Sequence, residues 1–430
     1  MTLTATVGIL LFVLLIIFLL LKIPVAYSLI GASLITILVI GLPLEVGPQR
    51  LFTSLDSFSF LAIPFFILAG NLMGAGGISQ KLVNFANSLV GHLPGGLAIV
   101  TVISCMFFAA ISGSGAATVA AVGGVLIPHM IESGYSPGFS AAVNASAGGI
   151  GIIIPPSIPF VSYAVLTGAS VTELFTGGIS AGIVIGLCLI IAVVMVSKKR
   201  GYSTGRKYSG RERLKAFVEA IPALLMPLII LGGIYSGKFN ATESAVVAVV
   251  YSLIVGIFVY RTLTPKKIWV VFKESAVSTA QILMLVAGAT LFGWLLTNYR
   301  VATAIAEGVL SLTTSPILLL LLMNLILLLM GTFMDTVASI VIVTPIMYPI
   351  ATQIGMDPVH FGIMMCANLA IGQITPPFGV NLFVAAGIGK TKLEAIIKEL
   401  LPLFLAIVIA VLMITYIEPI SMFLVHLMRQ

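Results

Sequence analysis

Charge is what this sequence has least of. Only 8% of its 430 residues are Asp, Glu, Lys or Arg, against 60% hydrophobic. That imbalance excludes a soluble globular protein, which would have to bury almost all of its surface. Cysteine is nearly absent as well. Cys105, Cys188 and Cys366 sit in apolar segments without paired spacing, which excludes a disulfide framework and a thiolate metal site. The four histidines, His92, His129, His360 and His426, fall near segment ends with no metal-ligand spacing. Without a mid-span histidine, Gly113-Ser114-Gly115 has no base for an intramembrane serine protease. Asp335 alone cannot form an aspartyl protease pair. No Walker A motif is present, so ATP hydrolysis has no support and the chain reads as a non-enzyme.

What is there is hydrocarbon-length apolar sequence. The runs Met1 to Leu21, Leu174 to Ser197 and Glu307 to Asp335 carry no internal charge and are long enough to span about 30 Å of bilayer core. This is an all-α polytopic membrane protein. The first run lacks a basic leader and reads as a retained span rather than a signal peptide. The few charges are placed unevenly. Eight basic residues lie between Lys198 and Lys215 against one acid, Glu212. The positive-inside rule puts this 198–215 linker in the cytoplasm. Lys22 and the group Arg261, Lys266, Lys267 and Lys273 fit the same side, leaving both termini periplasmic. Flanking spans make topology, and not nucleic-acid binding, the reading of these clusters.

The oddest passage occurs twice. Residues 147–156 read AGGIGIIIPP and residues 368–377 read NLAIGQITPP. Upstream of each is a Gly-Ser-Thr-rich break, SGSGAATVAA at 112–121 and MGTFMDTVAS at 330–339. Hydrocarbon tolerates irregular backbone only where it is buried in protein or lines a cavity. At an offset of 218, Ala69-Gly70 falls on Ala287-Gly288, Gly113 on Gly331 and Thr118 on Thr336; beyond that the offset becomes 221 and Pro155-Pro156 falls on Pro376-Pro377. The shared order implies duplication. The expected architecture is two inverted repeats, 1–197 and 216–430, with an odd number of crossings each. Spans 5–42, 174–197, 216–260 and 400–425 are expected as scaffold. Broken passages and helical hairpins are expected within 58–168 and 276–388. Within these, a discontinuous helix is expected over 95–131, and a broken passage over 276–313. The tandem prolines read as starts of half-helices.

A helix that stops in mid-membrane exposes amide donors at one end and carbonyl acceptors at the other. Donors suit a carboxylate and carbonyls suit Na⁺. Ser112, Ser114 and Thr118 add hydroxyl oxygens at the first break; Thr332, Asp335 and Thr336 add oxygens at the second. Asp335 lies between apolar flanks, where an unpaired carboxylate costs several kcal/mol. Three readings stay open for it: a Na⁺ ligand, a proton carrier, or a cavity-facing Asp bonded to local backbone. Asn71, Asn144, Asn368, Gln373, Thr375 and Asn381 are either ligand contacts or helix–helix hydrogen bonds. Arg300 ends a span or touches substrate. Paired broken segments favour alternating access over a passive channel.

The passages AIPFFILAGNLM (62–73), ISGSGAATVAAVG (111–123), GGIGIIIPPSIPFVSYA (148–164) and AIGQITPPFGVNLF (370–383) resemble the large membrane subunit of tripartite ATP-independent periplasmic (TRAP) transporters. The resemblance implies an elevator-type transporter of the ion transporter superfamily. Its expected work is Na⁺-coupled import of an organic acid such as sialic acid or a dicarboxylate. It implies a periplasmic substrate-binding protein and a small four-helix membrane subunit as partners, in a bacterial inner membrane. A stand-alone anion symporter of the same superfamily, or an anion channel, is the alternative. By motif position, Ser112, Gly113 and Ser114 belong to one Na⁺ site, and Gly331, Asp335 and Thr336 to its mate. Asn144, Ser157, Gln373, Thr375 and Asn381 are the candidate substrate contacts. Only the second site carries a carboxylate, so the two are expected to differ in strength.

Overall fold

Apolar runs punctuated by Ser, Asn, Asp and Gly dictate helices with abrupt ends, and the described residues form nothing but helices and their connections. The computed structural model describes residues 3–56, 58–202, 205–313, 315–376 and 379–430. Pro377, expected to pair with Pro156, lies outside them. In chain order the first series is α1 (Leu3–Leu20), α2 (Val25–Val39), α3 (Val46–Leu55), α4 (Ala62–Ala75), α5 (Ile78–Val90), α6 (Gly96–Ser112), α7 (Gly115–Glu132), α8 (Pro137–Gly148), α9 (Ile158–Thr167) and α10 (Val171–Arg200). The second is α11 (Gly210–Tyr235), α12 (Ala241–Ile254), α13 (Pro265–Asn298), α14 (Val301–Leu312), α15 (Pro316–Phe333), α16 (Thr336–Gln353), α17 (Pro358–Gly372), α18 (Val380–Gly389), α19 (Leu393–Tyr416) and α20 (Pro419–Arg429). Among the described residues nine helices are long and apolar enough to cross a membrane, or ten with the bent pair α4–α5 as one span.

Several expected boundaries shift. The passage over 95–131 is a hairpin, not a helix continuing through its break. The chain reverses at Gly113, whose left-handed φ of 64° suits a residue without Cβ. Thr101 Oγ1 near the start of α6 then lies 3.3 Å from Met130 Sδ near the end of α7. The stretch 276–313 breaks once. Its first part belongs to the uninterrupted 34-residue α13, and the chain turns only at Tyr299–Arg300. The linker shrinks, because α10 runs through Arg200 and α11 begins at Gly210 under a Ser209–Glu212 capping box.

The offset of 218 also needs correction. Helices α7 and α16 are both 18 residues long, and their starts place Ser114 opposite Asp335, each the N-cap of its helix. Gly331 and Thr336 therefore do not match Gly113 and Thr118; Gly331 sits inside α15. Nor do Pro155 and Pro156 start α9. They precede Ser157, which caps that helix by accepting from Phe160 N at 3.3 Å.

Packing divides the helices differently from the expected scaffold. The closing helices α10 and α19 pack on each other and on α6, α8 and α17, with the hairpins, not with the first spans of each half. Arg200 at the end of α10 pairs with Glu399 near the start of α19, and Arg429 at the end of α20 pairs with Glu173 at the start of α10. Helices α10 and α19 thus run antiparallel. The remaining frame is tied separately: Asn71 Nδ2 donates to Ser275 Oγ at 2.9 Å, Thr262 Oγ1 to Gly76 O at 2.7 Å, and Lys81 meets Glu219 at 2.8 Å. Between the two bodies lie apolar contacts such as Phe66 on Phe175 and Phe85 on Phe107.

Candidate functional site

Both hairpin tips open on one cavity of about 620 Å³. Ser112, Gly113, Ser114 and Gly115 line it from the first tip; Met334, Asp335 and Thr336 line it from the second. The frame contributes Asn71 from α4 and Ser278 and Gln281 from α13, and Gln373 closes the wall after α17. Among the described lining residues Asp335 is the single charge; no Lys or Arg is present.

The first tip is a knot of oxygens. Ser112 Oγ lies 2.8 Å from Thr118 Oγ1, which donates to Ser114 O at 2.8 Å, while Ser112 Oγ lies 3.3 Å from the same carbonyl. Three oxygens this close already approach the spacing a hard cation imposes on its ligands, roughly 3.3–3.6 Å for right-angled bonds of about 2.4 Å. The knot is wedged from outside. A Cβ on Gly113 would meet Pro156 O at 2.7 Å, and one on Gly151 would meet Ser114 O at 2.6 Å. The Gly-rich and Pro-Pro passage is therefore the backing of the first tip.

The second tip differs. Asp335 is exposed to the cavity, and its Oδ1 accepts from Val337 N at 2.9 Å. This N-cap satisfies one orphan amide of α16. Thr332 Oγ1 turns back to Leu329 O at 2.6 Å. Thr336 Oγ1 accepts from Gln373 Nε2 at 2.8 Å. Gly331 serves packing: a Cβ on Gly372 would sit 2.4 Å from its backbone, so α15 and α17 cross there in close contact.

Of the expected site residues, the cavity wall gathers Ser112, Gly113, Ser114, Gly331, Asp335, Thr336 and Gln373. Thr118 and Thr332 stand just behind it, buried. Asn144 is not a wall residue. It is fully buried against α7, with Nδ2 donating to Val119 O and Oδ1 accepting from Gly123 N, both at 3.1 Å. Ser157 is likewise committed, donating to Ile152 O at 2.6 Å. Thr375 bonds Ile371 O at 2.8 Å. Asn381 is buried, donates to Ala145 O, and keeps its Oδ1 without a partner. Gln373 Oε1 is also buried and unpartnered, beside Gly115. Sequence reasoning missed Ser278 and Gln281. Their signal was a polar stripe, Ser275, Ser278 and Gln281, at helical spacing of three within an apolar helix.

Antiparallel closing helices and the helix pairs α6–α7 and α15–α16, whose connecting tips line one cavity, define a polytopic helical membrane fold. The fold is shared with the Alcanivorax borkumensis YdaH transporter (TM-score 0.60, 14% identity, 86% of this chain and 88% of that one). It is also shared with Neisseria gonorrhoeae MtrF (TM-score 0.57, 15% identity, 86% and 84%). Such low identity speaks to fold alone. Residues 12–420 match the family described as tripartite ATP-independent periplasmic transporter, DctM component, and the chain belongs to that family. It is 50% identical to the isethionate TRAP transporter permease protein DctMQ of Oleidesulfovibrio alaskensis, with 94% of this chain aligned to 64% of that longer protein. It is 43% identical to a C4-dicarboxylate large permease, DctM, of Pseudomonas aeruginosa, covering 87% of each. It is 37% identical to the sialic acid large permease SiaM of Vibrio cholerae, covering 94% and 95%.

Proposed function

We propose that this chain imports an organic acid anion across the bacterial inner membrane, coupled to Na⁺, by an elevator movement of the hairpin body against the frame. The observation that carries this reading is the charge of the cavity. Among the described wall residues Asp335 is the single charge, with no Lys or Arg beside it. An anion entering such a space needs positive charge from elsewhere. Bound cations at the tips, with the amide ends of α7 and α16, supply it. More Na⁺ than substrate charge also makes inward transport electrogenic, at about 2.3 kcal/mol per charge per 100 mV.

The rest of the proposal follows the family. A periplasmic binding protein delivers the anion and a small membrane subunit braces the frame. The basic 198–215 linker faces the cytoplasm and both termini face the periplasm. Sialic acid and C4-dicarboxylates, named for relatives, remain candidate substrates beside isethionate. The test is uptake in proteoliposomes holding the chain, its small subunit and binding protein. A Na⁺ gradient drives accumulation if the proposal holds, and Asp335→Ala abolishes it; accumulation without Na⁺, or without the binding protein, overturns it.

A further inference from the structure

The frame wall of the cavity holds two polar side chains to which neither the tips nor the packing gives a role. Helix α13 runs 34 residues without a break, and Gln281 stands at its middle, about 25 Å from either end at 1.5 Å per residue. Val277 and Met284 are exposed, apolar and outside the cavity wall. Ser278, Gln281 and Leu285, at spacings of three and four, line the cavity instead. Polar side chains at such depth in a bundle commonly hydrogen-bond a neighbouring helix. One turn earlier Ser275 does so, accepting from Asn71 Nδ2 at 2.9 Å. Among the described residues Ser278 and Gln281 have no hydrogen-bond partner. Ser278 is half-buried and Gln281 exposed, and the space they face is the one that both hairpin tips line.

The two walls differ in chemistry. The tips offer helix amides and clustered oxygens, which suit charged groups. The α13 wall offers a carboxamide and a hydroxyl, each able both to donate and to accept. An alcohol donates and accepts at once, so a single hydroxyl satisfies the pair. A carboxylate in its place only accepts, and leaves the Gln281 oxygen unpaired. It also finds no cationic side chain among the described wall residues.

We infer that Ser278 and Gln281 hold a hydroxyl of the transported anion, so that the chain itself selects hydroxylated anions over their deoxy counterparts. This rests on the proposed function, since the occupant is the anion carried. The charged group of the anion then belongs to the hairpin body and its hydroxyl to the frame. The hydroxyl contact must break before the body moves. It therefore strengthens resting binding without speeding transport.

The test is calorimetric titration of the full chain with its small subunit in nanodiscs, at saturating Na⁺ and without binding protein, so that any selectivity is the chain's own. Three probe pairs differ by one hydroxyl: isethionate and ethanesulfonate, malate and succinate, N-acetylneuraminate and its 9-deoxy form. In the pair that binds, the hydroxylated member should bind about tenfold tighter, the worth of one or two net hydrogen bonds. Gln281→Leu should cut that ratio at least threefold, and Gln281→Leu with Ser278→Ala should bring it within twofold of unity. Affinity for the deoxy member, Na⁺ half-saturation and unfolding temperature should not move, which separates a lost contact from a damaged fold. The maximal rate of uptake, measured with binding protein, should hold or rise. Equal binding within each pair, a ratio unmoved by Gln281→Leu, equal loss of both members, or a maximal rate that falls overturns the inference. Absence of Na⁺-driven uptake in the unsubstituted chain overturns the proposed function itself, and this inference with it.

Discussion

Asp335 performs two jobs that substitution can separate. Its Oδ1 caps α16 through Val337 N at 2.9 Å, and its charge faces the cavity. Asparagine caps a helix about as well as aspartate, whereas alanine loses about 1 kcal/mol. Asp335→Asn therefore removes charge and spares the cap; Asp335→Ala removes both. The worth of the charge to a cation about 4 Å away runs from about 1 kcal/mol in water to about 4 kcal/mol at an effective dielectric of 20. Because Asp335 is exposed, the lower half of that range applies. The expected loss of Na⁺ affinity is then about 5- to 60-fold, at 1.4 kcal/mol per tenfold. The assay is initial uptake rate against Na⁺ concentration at fixed binding protein, with thermal unfolding of each variant in detergent. Asp335→Asn should unfold at the wild-type temperature with a much higher Na⁺ half-saturation. Asp335→Ala should unfold a few degrees lower as well. An Asp335→Asn protein whose half-saturation stays within twofold of wild type would refute the assignment of the charge to cation binding.

Four further outcomes rest on packing, hydrogen bonding and ion pairing. Gly372→Ala places a Cβ 2.4 Å from the Gly331 backbone and should cost about 1–3 kcal/mol, read as a lower unfolding temperature. Gly387→Ala, with nothing within 4 Å of the new Cβ, should leave that temperature level or raise it. Asn144→Leu removes partners of Val119 O and Gly123 N and should destabilise by about 1–3 kcal/mol, with uptake half-saturation for Na⁺ unchanged, because Asn144 is no wall residue. Burial opposes the charge of Asp357, but hydrogen bonds from Arg429 and Val359 N outweigh it and hold the carboxyl below its usual range. A depressed carboxylate stabilises above its unfolded pKa and loses that contribution as pH falls below about 4. Arg429→Gln should therefore flatten the acid side of a stability profile measured from pH 7 to 3.

Helix positions and the two breaks were legible because apolar length and Gly-Ser-Thr interruption are local signals. The helix caps at Ser114 and Asp335 follow from residue type alone. Direction at a break is not local. Nothing in SGSGAATV distinguishes a helix that continues from one that turns back; that depends on whether α6 finds α7 as a packing partner. The same limit explains the misplaced offset. Gly331 resembles Gly113 in sequence, yet its glycine answers a crossing with Gly372, about forty residues away. Asn144 and Ser157 looked like ligands because both are polar in apolar surroundings, and each had already found a backbone partner that only the tertiary structure reveals. The assignment of α10 and α19 to the scaffold failed for a similar reason. Their sequences are plain spans, and only their packing against α6, α8 and α17 places them with the hairpins.

An enclosed Asp335 would demand a partner at all times, whereas the structure leaves it open to the cavity and bonded to Val337 N, one of the three arrangements that the sequence left open. That difference bears on coupling. In a water-filled cavity an unpaired carboxylate is tolerated, and no cation is required to keep the protein folded. Any movement that closes the cavity removes that water. The same carboxylate then costs several kcal/mol unless a cation accompanies it. In the proposed cycle the empty-handed movement is thus penalised at the second tip, and Na⁺ relieves the penalty. The first tip imposes no such condition, since Ser112, Ser114 and Thr118 are neutral and already satisfy one another. A cation there must displace hydrogen bonds and gains no net charge pairing. Obligatory coupling should therefore reside in the tip that carries Asp335, with the serine tip adding affinity and charge for the anion.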